Sequence, residues 1–74
     1  MSHATWEGIA PVLREVMERV CTQRQIECLQ LLAQGLGARR IGLVLGIDES
    51  TARSHLKAGR RNVQREVAAM RGHQ

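Results

Sequence analysis

Phenylalanine and tyrosine are absent from these 74 residues, and Trp6 is the only aromatic side chain. The core must therefore be aliphatic, built from Leu, Ile, Val, Ala and Met, which suits an all-helical interior. No apolar run approaches the roughly 20 residues that span a bilayer, and the amino terminus lacks a signal-peptide core. A soluble, intracellular protein is expected. Proline occurs once, at Pro11, where a missing amide hydrogen fits only the first turn of a helix or a kink. Cysteine occurs twice, at Cys21 and Cys28, two turns apart if one helix holds both and too far apart to bridge within it. Free core thiols in a reducing cytosol are expected. His3, His55 and His73 with these two thiols lack zinc-ligand spacing, so neither metal nor cofactor is expected. Carboxylates and histidines form no catalytic grouping, and so short a chain has little room for a substrate pocket; the reading is not an enzyme.

Acidic side chains are scarce in one half only. Residues 1–37 hold three basic and four acidic side chains, a net −1, whereas residues 38–74 hold eight basic and three acidic, a net +5. The second half thus concentrates the positive field, and ten of the eleven cations are Arg, the side chain suited to bidentate phosphate and guanine contacts. A chain this short buries only about three-fifths of its unfolded surface, so stability is expected to be marginal or shared with a partner subunit.

Apolar periodicity predicts four helices. Trp6, Ile9, Leu13, Val16, Met17 and Val20 recur at helical spacing and predict a first helix ending near Val20, with a start left open by Pro11. Thr22 is a good N-cap for a second helix with Ile26, Leu29, Leu32 and Ala33 on its apolar face, ended by Gly35 and Gly37. A third is expected from Ala38 to Leu45, burying Ile41, Val44 and Leu45. Gly46 then supplies a turn with positive φ, Ile47 plugs the core, and Asp48 offers its carboxylate to the open amides of a fourth helix. In that helix Ala52, Leu56, Gly59, Val63, Val67 and Met70 form one apolar stripe, with a bend or break possible at Gly59. Val63, Val67 and Met70 have two uses: packing on the first helix, or a two-fold interface between copies.

Helix, glycine turn, helix with a cationic outer face is a helix-turn-helix. The fold expected is all-α: a four-helix helix-turn-helix domain with an additional N-terminal helix and a long C-terminal recognition helix. DNA's major groove admits one such helix, which reads base edges from its outward face. Residues 50, 53, 54 and 57 form that face: Arg53 and Lys57 can donate to guanine O6 and N7, and Ser54 can make a short polar contact. Ser50 and Thr51, in the first turn, are placed to hold a phosphate. Arg39, Arg40, Arg60 and Arg61, with Arg65 beyond them, are assigned to the flanking phosphates, which anchor without specifying. A purely structural helical unit with solvated arginines is the plainer reading; the charge asymmetry favours DNA.

The runs Thr22-Gln23-Arg24-Gln25-Ile26-Glu27-Cys28-Leu29, Leu31-Leu32-Ala33-Gln34-Gly35-Leu36, Leu45-Gly46-Ile47 and Ser50-Thr51-Ala52-Arg53-Ser54-His55-Leu56-Lys57, with Ile41 between the second and third, carry a further signal. Together they resemble the DNA-binding domain of bacterial LuxR/NarL-type regulators and, equally, the related sigma-factor region that reads the −35 promoter element. The resemblance implies that Arg53, Ser54 and Lys57 face bases, and that Thr22, Arg24, Ser50 and Thr51 lie near the DNA backbone. Gln25 stands where the LuxR pattern usually has Glu, and no separate short helix follows the recognition helix, a departure toward the sigma-like arrangement. The organisation expected is one domain over 1–74: an N-terminal helix and tail to residue 20, a LuxR/sigma-like core over 21–63, and a C-terminal extension of the last helix over 64–74. The function expected is a sequence-specific transcriptional regulator on double-stranded DNA, a homodimer in the cytoplasm and associated with the nucleoid. The alternative is a sigma-like module that docks on RNA polymerase or another regulator.

Overall fold

The first helix begins later than its apolar spacing predicts. In the computed structural model, which describes residues 8–72, α1 spans Pro11–Val20 with proline in its first turn. Ala10 is extended, with φ −61° and ψ 145°, because the ring of a following proline excludes helical backbone from the residue before it. Trp6, expected at the start of this helix, lies outside the described residues. Val16 and Met17 are the buried pair of α1.

A two-residue link leads into α2, Gln23–Ala33. Its start is a reciprocal cap: the Gln25 amide donates to Thr22 Oγ1 at 3.2 Å, and the Thr22 amide donates to Gln25 Oε1 at 3.0 Å. Two amides that a helix start leaves open are thereby satisfied. Asn62 Nδ2 of the last helix donates to the same Gln25 Oε1 at 3.3 Å and to the Val20 carbonyl at 3.2 Å. One amide group thus ties the end of α1 to the start of α2. Thr22→Ala is expected to lower unfolding free energy by about 1 kcal/mol, read as a shifted urea midpoint with an unchanged slope.

Gly35, at φ 99°, ends α2. Its amide reaches the Leu32 carbonyl at 2.9 Å and the Leu36 amide reaches Leu31 at 3.1 Å, the paired bonds of a Schellman stop. After Gly37, α3 spans Ala38–Leu45 and ends at Gly46, whose φ is 71°. The Ile47 amide then closes on the Gly42 carbonyl at 2.9 Å. Asp48 is the N-cap of α4, Glu49–Arg71, but its carboxylate makes no capping hydrogen bond. The expected carboxylate cap is therefore not formed, and the Asp48 carbonyl simply accepts the first intrahelical bond, from the Ala52 amide at 2.9 Å.

The last helix touches the other three helices. Cys28, Ile41, Ala52 and Leu56 are the buried centre, with Leu29, Leu31, Leu32, Leu36, Ala38, Leu45 and Ile47 packed around them. α4 runs unbroken through Gly59, which is buried. A Cβ there would stand 3.0 Å from Leu29 Cδ1 and 3.4 Å from Gln25 Cβ, so the missing side chain lets α2 and α4 approach closely. Val44 was expected inside and is 61% exposed, beside Leu43 at 75%. The inward face of α3 is Ala38, Ile41, Gly42 and Leu45, and Val44 stands roughly 110° around the helix from its middle. Contact with the 47–49 turn runs on the Gly42 side, which rotates Val44 outward.

Cys21 caps the end of α1 and Cys28 lies in α2, so the two do not share a helix; both are free. Burial pushes both thiols above their ordinary pKa, with the Arg24 charge opposing that shift at Cys28. A raised pKa lowers the thiolate fraction that would make either a nucleophile. No helix among the described residues is long and apolar enough to cross a membrane.

Candidate nucleic-acid interface

Two glycines set the angle between α3 and α4. Gly46 turns the chain with positive φ, and Gly42 lets the turn lie against α3, because an added Cβ would fall 2.6 Å from the Ile47 carbonyl oxygen and 3.3 Å from the Glu49 nitrogen. The amino-terminal half of α4 is thereby held on its apolar side by Ala52 and Leu56, while Ser50, Thr51, Arg53, Ser54 and Lys57 are exposed. His55, between the two sides, is half-buried.

Arg53, Lys57, Arg60, Arg61 and Gln64 line one open groove with Leu32, Ala38 and Leu56, about 510 Å³ in volume. Four cations therefore converge on one face of α4. Arg39 and Arg40 follow Ala38 at the exposed start of α3 and are not among the residues that line the groove. The structure thus gathers four of the basic residues singled out by sequence into one surface. Like charges so close repel one another in water, and this repulsion is relieved when a polyanion supplies the counter-charge.

Two residues carried over by resemblance stand apart from this groove. Thr22 spends its hydroxyl on the α2 cap, and Arg24 pairs with Glu27 at 3.0 Å, both at the start of α2 on the side of Asn62. Arg65 lines a different hollow, with Val20, Asn62, Glu66 and Ala69. Val63 lies against α1 and α2, facing Leu13, Met17, Leu29 and Leu32. Val67 and Met70 face Val12, Leu13 and Val16 of α1. The stripe is thus used first within the chain, although Val12 and Met70 remain exposed.

Sequence reasoning passed over Glu49. Its Oε2 accepts from Arg53 Nη2 at 2.6 Å, on the same outward face. The signal was present in the spacing, since a carboxylate four residues before an arginine on a helix is the favourable order for a pair.

Residues 19–70 match the model of the luxR family of bacterial regulatory proteins. The chain belongs to this family. No curated protein and no solved structure gives a significant match. The luxR-family match takes in the end of α1, the whole of α2 and α3, and α4 up to Met70, so it covers every element that builds the cationic face. Membership makes α3, the Gly46 turn and α4 the helix-turn-helix of a DNA-binding transcriptional regulator.

Proposed function

We propose that this luxR-family domain reads a specific double-stranded sequence by laying the amino-terminal half of α4 in the major groove. The convergence of Arg53, Lys57, Arg60 and Arg61 on one exposed face, backed by Ala52 and Leu56 in the core, carries the reading. Arg53, Ser54 and Lys57 contact base edges. Ser50 and Thr51 hold a phosphate at the first turn, where free amides favour an anion. Arg39, Arg40, Arg60 and Arg61 grip the flanking phosphates, and Thr22 and Arg24 touch the backbone only at the margin of the footprint. A regulator built this way works in the cytoplasm, on the nucleoid.

The working unit is a homodimer. A single module of this size seldom binds tightly enough alone, and the exposed Val12 and Met70 leave an apolar end on α1 and α4, away from the cationic face. Two-fold pairing there keeps both recognition helices free for two half-sites.

Selection of bound sequences from a random duplex library tests this. The wild type is expected to enrich one motif, and Arg53→Ala and Lys57→Ala are each expected to flatten one position of it, at about 1–3 kcal/mol of lost discrimination. Unchanged motifs in both variants would remove these side chains from the groove. Sedimentation of the wild type against Met70→Glu reads the oligomer: a dimer reduced to a monomer is expected, and a wild-type monomer at all concentrations excludes the pairing.

A further inference from the structure

We infer that Glu49 is a specificity-determining residue, which positions Arg53 and with it reads a G·C base pair. This rests on the DNA-reading function proposed above and names which side chains carry the choice of base.

The last helix holds two carboxylates, Glu49 and Glu66. Glu66 is occupied with Arg19 of α1 at 2.6 Å. Glu49 is instead on the outward face, in the turn that enters the groove first, with its side chain 46% exposed and its partner Arg53 63% exposed. At that exposure the pair adds little to folding, a few tenths of a kcal/mol for such spacing. A negative charge there also opposes approach to phosphates, so it lowers affinity for DNA of any sequence. The helix dipole accounts for an acid in this turn; the pairing with Arg53 on the outward face adds a role in selectivity.

An exposed arginine samples many rotamers, and fixing it is part of what each base contact must overcome. Glu49 holds the guanidinium by one terminal nitrogen at 2.6 Å. Arginine has five donor hydrogens in a rigid fork, so the remaining edge is still able to meet guanine O6 and N7 together. Glu49 Oε1 is free in turn to accept from the N4 amino group of a cytosine, the partner such a carboxylate suits in the major groove. A thymine offers this guanidinium only one acceptor, and an adenine places a donor against it. Away from guanine Arg53 keeps its carboxylate, and the arginine is spared from sticking to whatever base it meets.

The experiment compares wild type, Glu49→Gln, Glu49→Ala and Arg53→Ala in the same duplex selection, with affinity for an unrelated duplex measured in parallel. The position flattened by Arg53→Ala is expected to be G·C in the wild-type motif. Both Glu49 variants are expected to lose about tenfold discrimination at that position, while binding the unrelated duplex as tightly as wild type or more so. Glu49→Gln keeps the side chain's length and its place in the helix, so the outcome does not depend on alanine at the helix start. Retention of full discrimination by Glu49→Gln, or an A·T pair at the Arg53 position, overturns the role of Glu49 alone. A wild type that enriches no sequence overturns the DNA-reading function itself, and with it this inference.

Discussion

Gly42→Val is expected to cost about 3 kcal/mol of folding free energy, at the upper end of what overpacking removes. A domain of this length has on the order of 4–11 kcal/mol in total, so the helical signal of the variant should melt at far lower urea. The reason is local. A single Cβ at this position would stand 2.6 Å from the Ile47 carbonyl oxygen and 3.4 Å from the Asp48 carbonyl carbon. Those atoms are backbone, and they are held: the Ile47 amide bonds the Gly42 carbonyl at 2.9 Å and Gly46 is fixed at φ 71°. Two further methyl groups cannot be accommodated by rotating a side chain away. The turn must move, and with it the start of α4. Gly42→Ala is expected to fall between, since its helix propensity gains about 1 kcal/mol over glycine against the same contact. Any folded fraction of Gly42→Val should also fail to retard DNA, because the angle between α3 and α4 sets the presentation of Arg53 and Lys57. A valine variant that melts with the wild type would show that the turn does not lie against α3 as described.

The start of α2 and the stops of α2 and α3 were legible because each is written in a residue type with one physical use. Thr22 caps with its hydroxyl, and Gly35 and Gly46 take positive φ. The start of α1 was legible only in part, since apolar spacing continues upstream of Pro11 while the ring forces Ala10 out of helical backbone. Val44 was misplaced for a different reason. In a helix of eight residues the apolar side chains do not define one face, and the true face is set by where α4 approaches, which Gly42 decides. Asp48 holds the N-cap position, but its carboxylate is not bonded to the amides of the first turn.

The cationic surface was legible from charge and helical spacing alone, and Arg53, Lys57, Arg60 and Arg61 do come together. What spacing could not separate was the environment of each cation. Arg24 is taken up by Glu27, Arg19 by Glu66, and Arg53 by Glu49; Arg65 faces another hollow beside Asn62. A sum of charges counts these residues equally. The groove in which they stand, or the carboxylate they meet, distinguishes an anchor from a reader and both from a surface ion pair.

That distinction predicts the second large effect. Replacing Arg39, Arg60 and Arg61 together by Gln should weaken DNA binding by about a hundredfold at about 0.15 M salt, for every sequence alike. Each phosphate contact contributes about 0.9 to the slope of log affinity against log salt, so three lost contacts lower the slope by about 2.7. At about 1 M salt this contribution vanishes, and extrapolating that slope back to about 0.15 M gives roughly two decades of affinity. The three positions are exposed, so folding should change little, and a urea melt checks that. Arg65→Gln is the single-charge control: one arginine is removed from α4 away from the groove, and the slope should hold within error. The motif selected by the triple variant should match the wild type, since Arg53, Ser54 and Lys57 are untouched. A steep salt dependence surviving in the triple variant would place the phosphates elsewhere on the molecule. A loss in Arg65→Gln of about one third of the triple variant's, in log affinity, would reduce the surface to net charge, with no interface in it.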